Sequence, residues 1–206
     1  MAKFWGLEEF SYLTHDEGSR VGFRVLQLLQ SGDIAQDISL THHFVLDGSI
    51  YLELAHLTEM QKGLLSNATG PAMQKLITAD LLASGMSIEV YTPHLNKSDL
   101  KALESVFAFE EGTHILHETI QYLHDRSLHE MSWLNALHNS SVDCSLIWGT
   151  ADPVAVPAIA DFVWGNFLQH RPHANATYTQ IKGANHYLTV SNAAEIWDIV
   201  RKALGI

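Results

Sequence analysis

Three residues in this chain combine the right types and positions to do chemistry together. Asp16 follows a short apolar run and stands in "HDEGSR", just before a stretch with helical spacing. Asp152 follows the apolar run "VDCSLIWG", within "GTADPV". His186 follows "ATYTQIKG", within "GANHYL". An acid, a second acid and a histidine are the parts of a nucleophile, an orienting acid and a base. Each has an ordinary reading as well. Asp16 is a suitable helix cap, Asp152 before Pro153 a common turn residue, and His186 a loop histidine. Their common placement, each at the exit of an apolar strand-like run, argues for a joint role.

The surrounding pattern explains why these exits would converge. Residues 3 to 9 read as the end of a short helix and 10 to 15 as a buried strand. From Ser19 to Gln30, Val21, Val25, Leu28 and Leu29 recur at helical spacing, and Ser31-Gly32-Asp33 ends that helix. "ISLTHHFVLDGS" reads as a second strand with Asp47-Gly48 as its exit turn. Residues 50 to 110 change to broken helical patterns, with a helix start in "NKSDLKALESVF" and Ser98 as its expected N-cap. A long helical stretch is expected over 113 to 138. A third strand, a helix over Ala158 to Gln169, a fourth strand and a closing helix over 192 to 204 follow. Strands alternating with helices imply a mainly parallel α/β sheet. In such sheets functional groups lie beyond the carboxyl ends of the strands. The expected division is a core part over 1–50 carrying the first site residue, a helical cap over 51–112, and a second core part over 113–206.

Composition narrows the partners. The chain has 206 residues, 47% of them hydrophobic, and a formal net charge of −11. That balance argues against nucleic acid and anionic membrane as partners, since both require a basic face. The single cysteine, Cys144, allows no internal disulfide and sits in an apolar run. No window is long and apolar enough for a membrane span, and the start lacks a signal-peptide pattern, so a soluble, cytoplasmic chain is expected. Thirteen histidines raise the question of metal. His114 and His117, or His117 and His124, would share a helix face, but no cluster has ligand spacing and "HETIQ" is not HExxH. No metal is expected.

The motifs carry a specific resemblance. "HDEGSRVG" resembles the nucleophile elbow of the α/β-hydrolase superfamily, with Asp where many members have Ser. "LIWGTADPV" and "IKGANHYL" resemble the segments bearing that superfamily's catalytic acid and histidine. "HFVLDGSIYLELAHLTEMQKGLL" resembles the strand exit and first cap helix of the branch with haloalkane dehalogenases, epoxide hydrolases and mesoderm-specific-transcript-like hydrolases. The resemblance implies that Asp16 attacks carbon and forms an ester, which water activated by His186 then hydrolyses, with Asp152 orienting the histidine. The backbone N–H of Glu17 would contact the oxyanion, and Asp47 would be an auxiliary acid or a turn residue. A Ser-type esterase is disfavoured because Ser19 lies beyond the elbow.

Two departures qualify the resemblance. Trp usually follows the nucleophile in dehalogenases and many epoxide hydrolases, where it binds the leaving halide in dehalogenases. Here Glu17 stands there, and an ionised carboxylate would repel a halide. Epoxide is therefore the first expectation for a small apolar substrate and organohalide the second. Tyr51, Tyr91 and Tyr122 are the available proton donors. Trp133, Trp148, Tyr187, Leu81, Leu82 and Met86 are candidates for pocket lining, though core packing suits most of them. The other departure is that several strands normally precede the elbow. The chain is expected to form a partial α/β-hydrolase fold with an open strand edge. That edge would pair with a second copy or with a separate N-terminal part. The rival to a hydrolase is a truncated, non-catalytic remnant acting by binding or self-association.

Overall fold

The computed structural model describes residues 3–34 and 38–206. Among these residues four strands form one sheet in the order β1 (Glu9–His15), β2 (Ser39–Leu46), β3 (Asp143–Gly149) and β4 (Ala176–Ile181). All neighbouring pairs are parallel, with His15 opposite Leu46, Leu46 opposite Ile147, and Gly149 opposite Ile181. The carboxyl ends of the strands thus line up along one edge of the sheet. β1 is an edge strand, and its register with β2 slips between Phe10 and Tyr12.

Parallel strands need helical crossovers, and these cover both faces. On one face, Phe23 and Leu26 of α1 (Gly18–Ser31), Trp133, Leu134 and Leu137 of α7 (Tyr122–Asn139), and Ile159 and Val163 of α8 (Pro157–Val163) pack on Val45, Leu146 and Trp148. On the other, Ile196 and Val200 of α10 (Ala193–Leu204) pack with Phe44, Leu46, Ile147 and Ile181. Successive side chains of β2 and β3 therefore feed opposite cores, which is why both strands read as continuous apolar runs. Cys144 is buried in the first core.

Between β2 and α7 lies the helical insertion: α2 (Glu59–Leu65), α3 (Gly70–Met73), α4 (Ala79–Glu89), α5 (Lys97–Ala108) and α6 (Leu116–Ile120). Its own apolar cluster joins Leu64, Ile77 and Leu82 to Ile120 and Leu123, so the packing of the inserted helices continues past residue 112. A short α9 (Leu188–Ser191) precedes α10.

Several local expectations need correction. Residues 3 to 5 form one 3-10 turn, and β1 already begins at Glu9. The N-cap of α5 is Asn96, not Ser98. The Asn96 side chain accepts from the N–H groups of Ser98 and Asp99, and so takes the capping position two residues earlier. The stretch 113 to 138 is not one helix. A 3-10 segment over Phe109–Ile115 gives way to α6, and Gln121 separates α6 from α7. On α1, Val21 is 54% exposed; the helix instead buries Phe23 and Leu26, while Val21, Val25 and Leu29 face an open cleft beside β1.

Candidate active site

Asp16 occupies the turn between β1 and α1, and its φ is 48°. A non-glycine residue in this left-handed region carries a local conformational cost and is found where function or packing demands it. Here the turn is held from two sides. The Asp16 N–H donates to the Leu46 carbonyl of the neighbouring strand, and the Ser19 N–H donates back to the Asp16 carbonyl. The result lifts the carboxylate above the first turn of α1, where unpaired N–H groups favour negative charge. The Glu17 N–H has no acceptor among the described residues.

His186 lies across from it. Its Nδ1–H donates to Asp152 Oδ2 at 2.7 Å, and its Nε2 lies 3.7 Å from Asp16 Oδ1. Asp152 is fixed by its other oxygen, which accepts from the N–H groups of Val154 and Ala155. The histidine loop is pinned three ways. The His186 N–H donates to Asn185 Oδ1, His15 Nε2–H donates to the His186 carbonyl at 2.8 Å, and the Tyr187 N–H donates to Val90 at the end of α4. Asn185 also donates to the Glu89 carbonyl and to Thr92 Oγ1, tying the insertion to the same loop.

Charge follows geometry. Burial alone would lower the His186 pKa, but its contacts with Asp152 and Asp16 overcome this and push it up to about 10. Burial opposes ionisation of Asp16, yet His186, with His15 and Arg126, holds its carboxyl below the usual value. His15 is lowered mainly by burial and then by His186, consistent with a neutral ring donating through Nε2.

Asp47, at the exit of β2, behaves differently. It is fully buried with a φ of 37°, and its Oδ1 accepts from the Gly149 N–H. Burial, then Asp152, raises its carboxyl to about 9, so it holds a proton at neutral pH. It makes no hydrogen bond to His186; it braces the exits of β2 and β3 against each other.

The Asp16 carboxylate and His186 open onto a cavity of about 370 Å³ between the sheet edge and the inserted helices. Leu64, Leu82, Met86, Phe107 and Ile120 give it an apolar wall. Among the tyrosines, Tyr122 and Tyr187 line it. Tyr91 stacks against Tyr187 from behind, and Tyr51 stacks on Phe162 and donates to Glu53. Burial and then Asp16 raise the Tyr122 phenol to about 12, leaving it a donor. Trp133 and Trp148 are core residues rather than lining, and the Trp148 indole donates to the Ala155 carbonyl. Leu81 is 57% exposed, on the outer side of α4. Ser19 is fully buried below the elbow. Among the described residues no three His, Cys, Asp or Glu side chains gather in a metal-holding group, and His117 Nδ1 donates to the Leu64 carbonyl.

The Glu17 carboxylate is not where its position in the sequence places it. It does not line the cavity; it accepts from Arg126 Nη2 at 2.6 Å and from Arg20 Nε. Arg126, which sequence reasoning missed, does line the cavity. The available signal was a charged residue in the same stripe of α7 as Leu123, Trp133 and Leu137.

Comparison with known proteins agrees with this architecture. No family model matches the chain. A curated relative described as a candidate hydrolase, LipZ of Mycobacterium tuberculosis, is 27% identical over 177 residues, which are 85% of this chain and 58% of the relative. The chain therefore spans less than two thirds of the length of the curated relative it matches. Among solved structures, a mutant of the haloalkane dehalogenase DatA from Agrobacterium tumefaciens superposes over 100% of this chain and 70% of its own, with a TM-score of 0.76 and 12% identity. An epoxide hydrolase, CorEH, superposes over 98% of this chain and 69% of its own, with a TM-score of 0.66 and 12% identity. The chain has the α/β-hydrolase fold. No helix among the described residues is long and apolar enough to cross a membrane.

Proposed function

We propose that this protein is a hydrolase working through an Asp nucleophile and a covalent alkyl-enzyme ester, on a small and largely apolar organic substrate. The observation that carries the reading is Asp16 at a φ of 48°, lifted from the strand-to-helix turn into an apolar cavity with His186 Nε2 3.7 Å away. A carboxylate held below its usual pKa needs no base to become a nucleophile. Its oxygen attacks an electrophilic carbon, the bond to the leaving atom breaks, and an ester forms. His186, steered by Asp152, then takes a proton from water as that water adds to the ester carbonyl. The Glu17 N–H supports the oxyanion; collapse expels the alkoxide, which takes the proton from His186 and leaves as an alcohol, and the new carboxyl releases its own proton to water and is a carboxylate again. An epoxide is the first substrate class and an organohalide the second, and no step calls for a metal or organic cofactor. The test is a turnover screen of epoxides and haloalkanes with wild type and Asp16→Asn. Loss of turnover in the variant is expected; full turnover in it overturns the nucleophile assignment.

A second reading, a binding role, draws on the open side of the sheet. β1 has no partner on its outer edge among the described residues, and a cleft of about 860 Å³ runs beside it, lined by Phe10, Leu13, Val21 and Val25. Leu13 and Val21 are 46% and 54% exposed. The occupant this reading commits to is a further parallel strand of polypeptide, of the kind the longer relatives have room to supply. A synthetic β-strand peptide that protects the β1 amides from hydrogen exchange supports it. A chain that elutes as a dimer with β1 protected and no peptide bound replaces it with self-association.

A further inference from the structure

A carboxylate directly after the nucleophile argues from sequence for a negatively charged leaving-group end. The folded arrangement reverses that sign. Glu17 turns out of the cavity and is shared by two cations, Arg126 and Arg20. Two guanidinium groups against one carboxylate leave an excess positive charge within one residue of Asp16. Arg126 is the member of this group that lines the cavity, together with Asp16, Tyr122 and His186.

Its setting is unusual for an arginine. The residue is 2% exposed, and it is held by three elements at once. It rises from α7, donates through Nη2 to Glu17 at the elbow, and donates through Nη1 to the Ser49 carbonyl after β2. The guanidinium carbon sits 5.1 Å from the centre of the Tyr122 ring. Its Nε–H is buried and has no partner among the described residues. A desolvated, fixed cation lining the same cavity as a nucleophile stabilises developing negative charge without reorganising.

We propose that Arg126 is the electrophilic group of this cavity, stabilising the charge that develops on the leaving atom, and that Glu17 acts through it as a positioning residue. The proposal rests on the Asp16 ester reading. As the Asp16 oxygen bonds to carbon, the bonding pair of the breaking bond goes to the leaving atom. A halogen departs as halide, and Arg126 faces it as a counter-ion. An epoxide oxygen becomes an alkoxide beside Arg126 and takes a proton from Tyr122, which recovers one from water. The shared requirement is a developing anion, so this site accommodates organohalides as well as epoxides.

Two measurements test it, one of them independent of turnover. Bromide serves as the probe: crystals soaked in sodium bromide are examined by anomalous diffraction. Wild type is expected to hold bromide within hydrogen-bond reach of Arg126, and the charge-neutral pair Glu17→Gln with Arg126→Gln is expected to lose it. In the His186→Ala background, adduct formation at Asp16 is then timed with a bromoalkane and with an epoxide. The neutral pair is expected to slow both by about 100-fold, as loss of one oxyanion donor does, and Arg126→Lys with Glu17 intact to recover part of the loss. A drop with the bromoalkane alone assigns the site to halide, and a drop with the epoxide alone to alkoxide. No bromide at Arg126, or unchanged adduct rates in the neutral pair, overturns the proposal. Bromide at Arg126 with a substrate that wild type turns over but that leaves no adduct on Asp16 supports the anion site and overturns the Asp16 reading instead.

Discussion

Replacing Asp16 with Asn should lower the pKa of His186 and leave more of it unprotonated near neutral pH. The imidazole is held up to about 10 against the pull of burial because two carboxylates share it, Asp152 at 2.7 Å and Asp16 at 3.7 Å. At an effective dielectric of 20, a pair of unit charges near 4 Å is worth about 4 kcal/mol, or roughly three pH units. The Asp16 side chain is 33% exposed, so solvent takes part of that. About one to two pH units remain, or ~1.4–2.8 kcal/mol. Asp16→Asn is therefore expected to titrate His186 at about 8 to 9. Long-range proton–nitrogen NMR of the imidazole, followed from pH 5 to 11 in both proteins, reads this directly. An unchanged titration would refute the coupling. The same arithmetic gives the proposed reaction its order. Esterification removes the Asp16 charge just as Asn does, so a larger share of His186 is unprotonated at the stage where a base is needed. His186 also contributes to stability, and the sign follows from its raised pKa. The contribution is full below the ordinary histidine value and is lost as pH climbs through about 10.

Other consequences are accessible to simpler assays. Asp47 is raised to about 9, so above pH 4 the unfolded chain loses a proton that the folded chain retains, and stability falls as pH rises to that value. Asp47→Asn keeps the acceptor for the Gly149 N–H. It is expected to add ~5 kcal/mol at pH 8 and little at pH 4; urea unfolding at both pH values checks this, and an equal gain at both refutes it. Asn185→Ala removes bonds to Glu89, Thr92 and His186 and is expected to cost ~2 kcal/mol. Hydrogen exchange should quicken at the Tyr187 amide, which bonds Val90; unchanged exchange there would mean that the insertion does not hold the histidine loop.

The fold was legible where sequence signals are local and repeated. The strands β2 and β3 are buried on both faces and read as apolar runs, and Gly32 ends α1 in a left-handed conformation where a helix stop was expected. The positions of Asp16, Asp152 and His186 were legible because each follows such a run at a turn, and the structure brings all three together. What stayed hidden depends on long-range packing. The Val21 and Val25 stripe reads as a core-facing surface, but an open cleft lies beside it. Trp133 and Trp148 read as core residues or pocket lining, and only the packing places them in the layer between the sheet and α7 and α8. Glu17 reads as a negative charge in the leaving-group position, and only the arrival of Arg126 from a point 109 residues later turns it away.

The central claim is that Asp16 bonds covalently to substrate carbon. Intact-protein mass spectrometry of His186→Ala, incubated with a panel of epoxides and haloalkanes and followed by peptide mapping, tests it most directly. The account predicts a stable adduct of substrate mass on the peptide containing Asp16, absent from Asp16→Asn/His186→Ala. A folded His186→Ala protein that turns over one of these substrates while no adduct ever maps to Asp16 would contradict it.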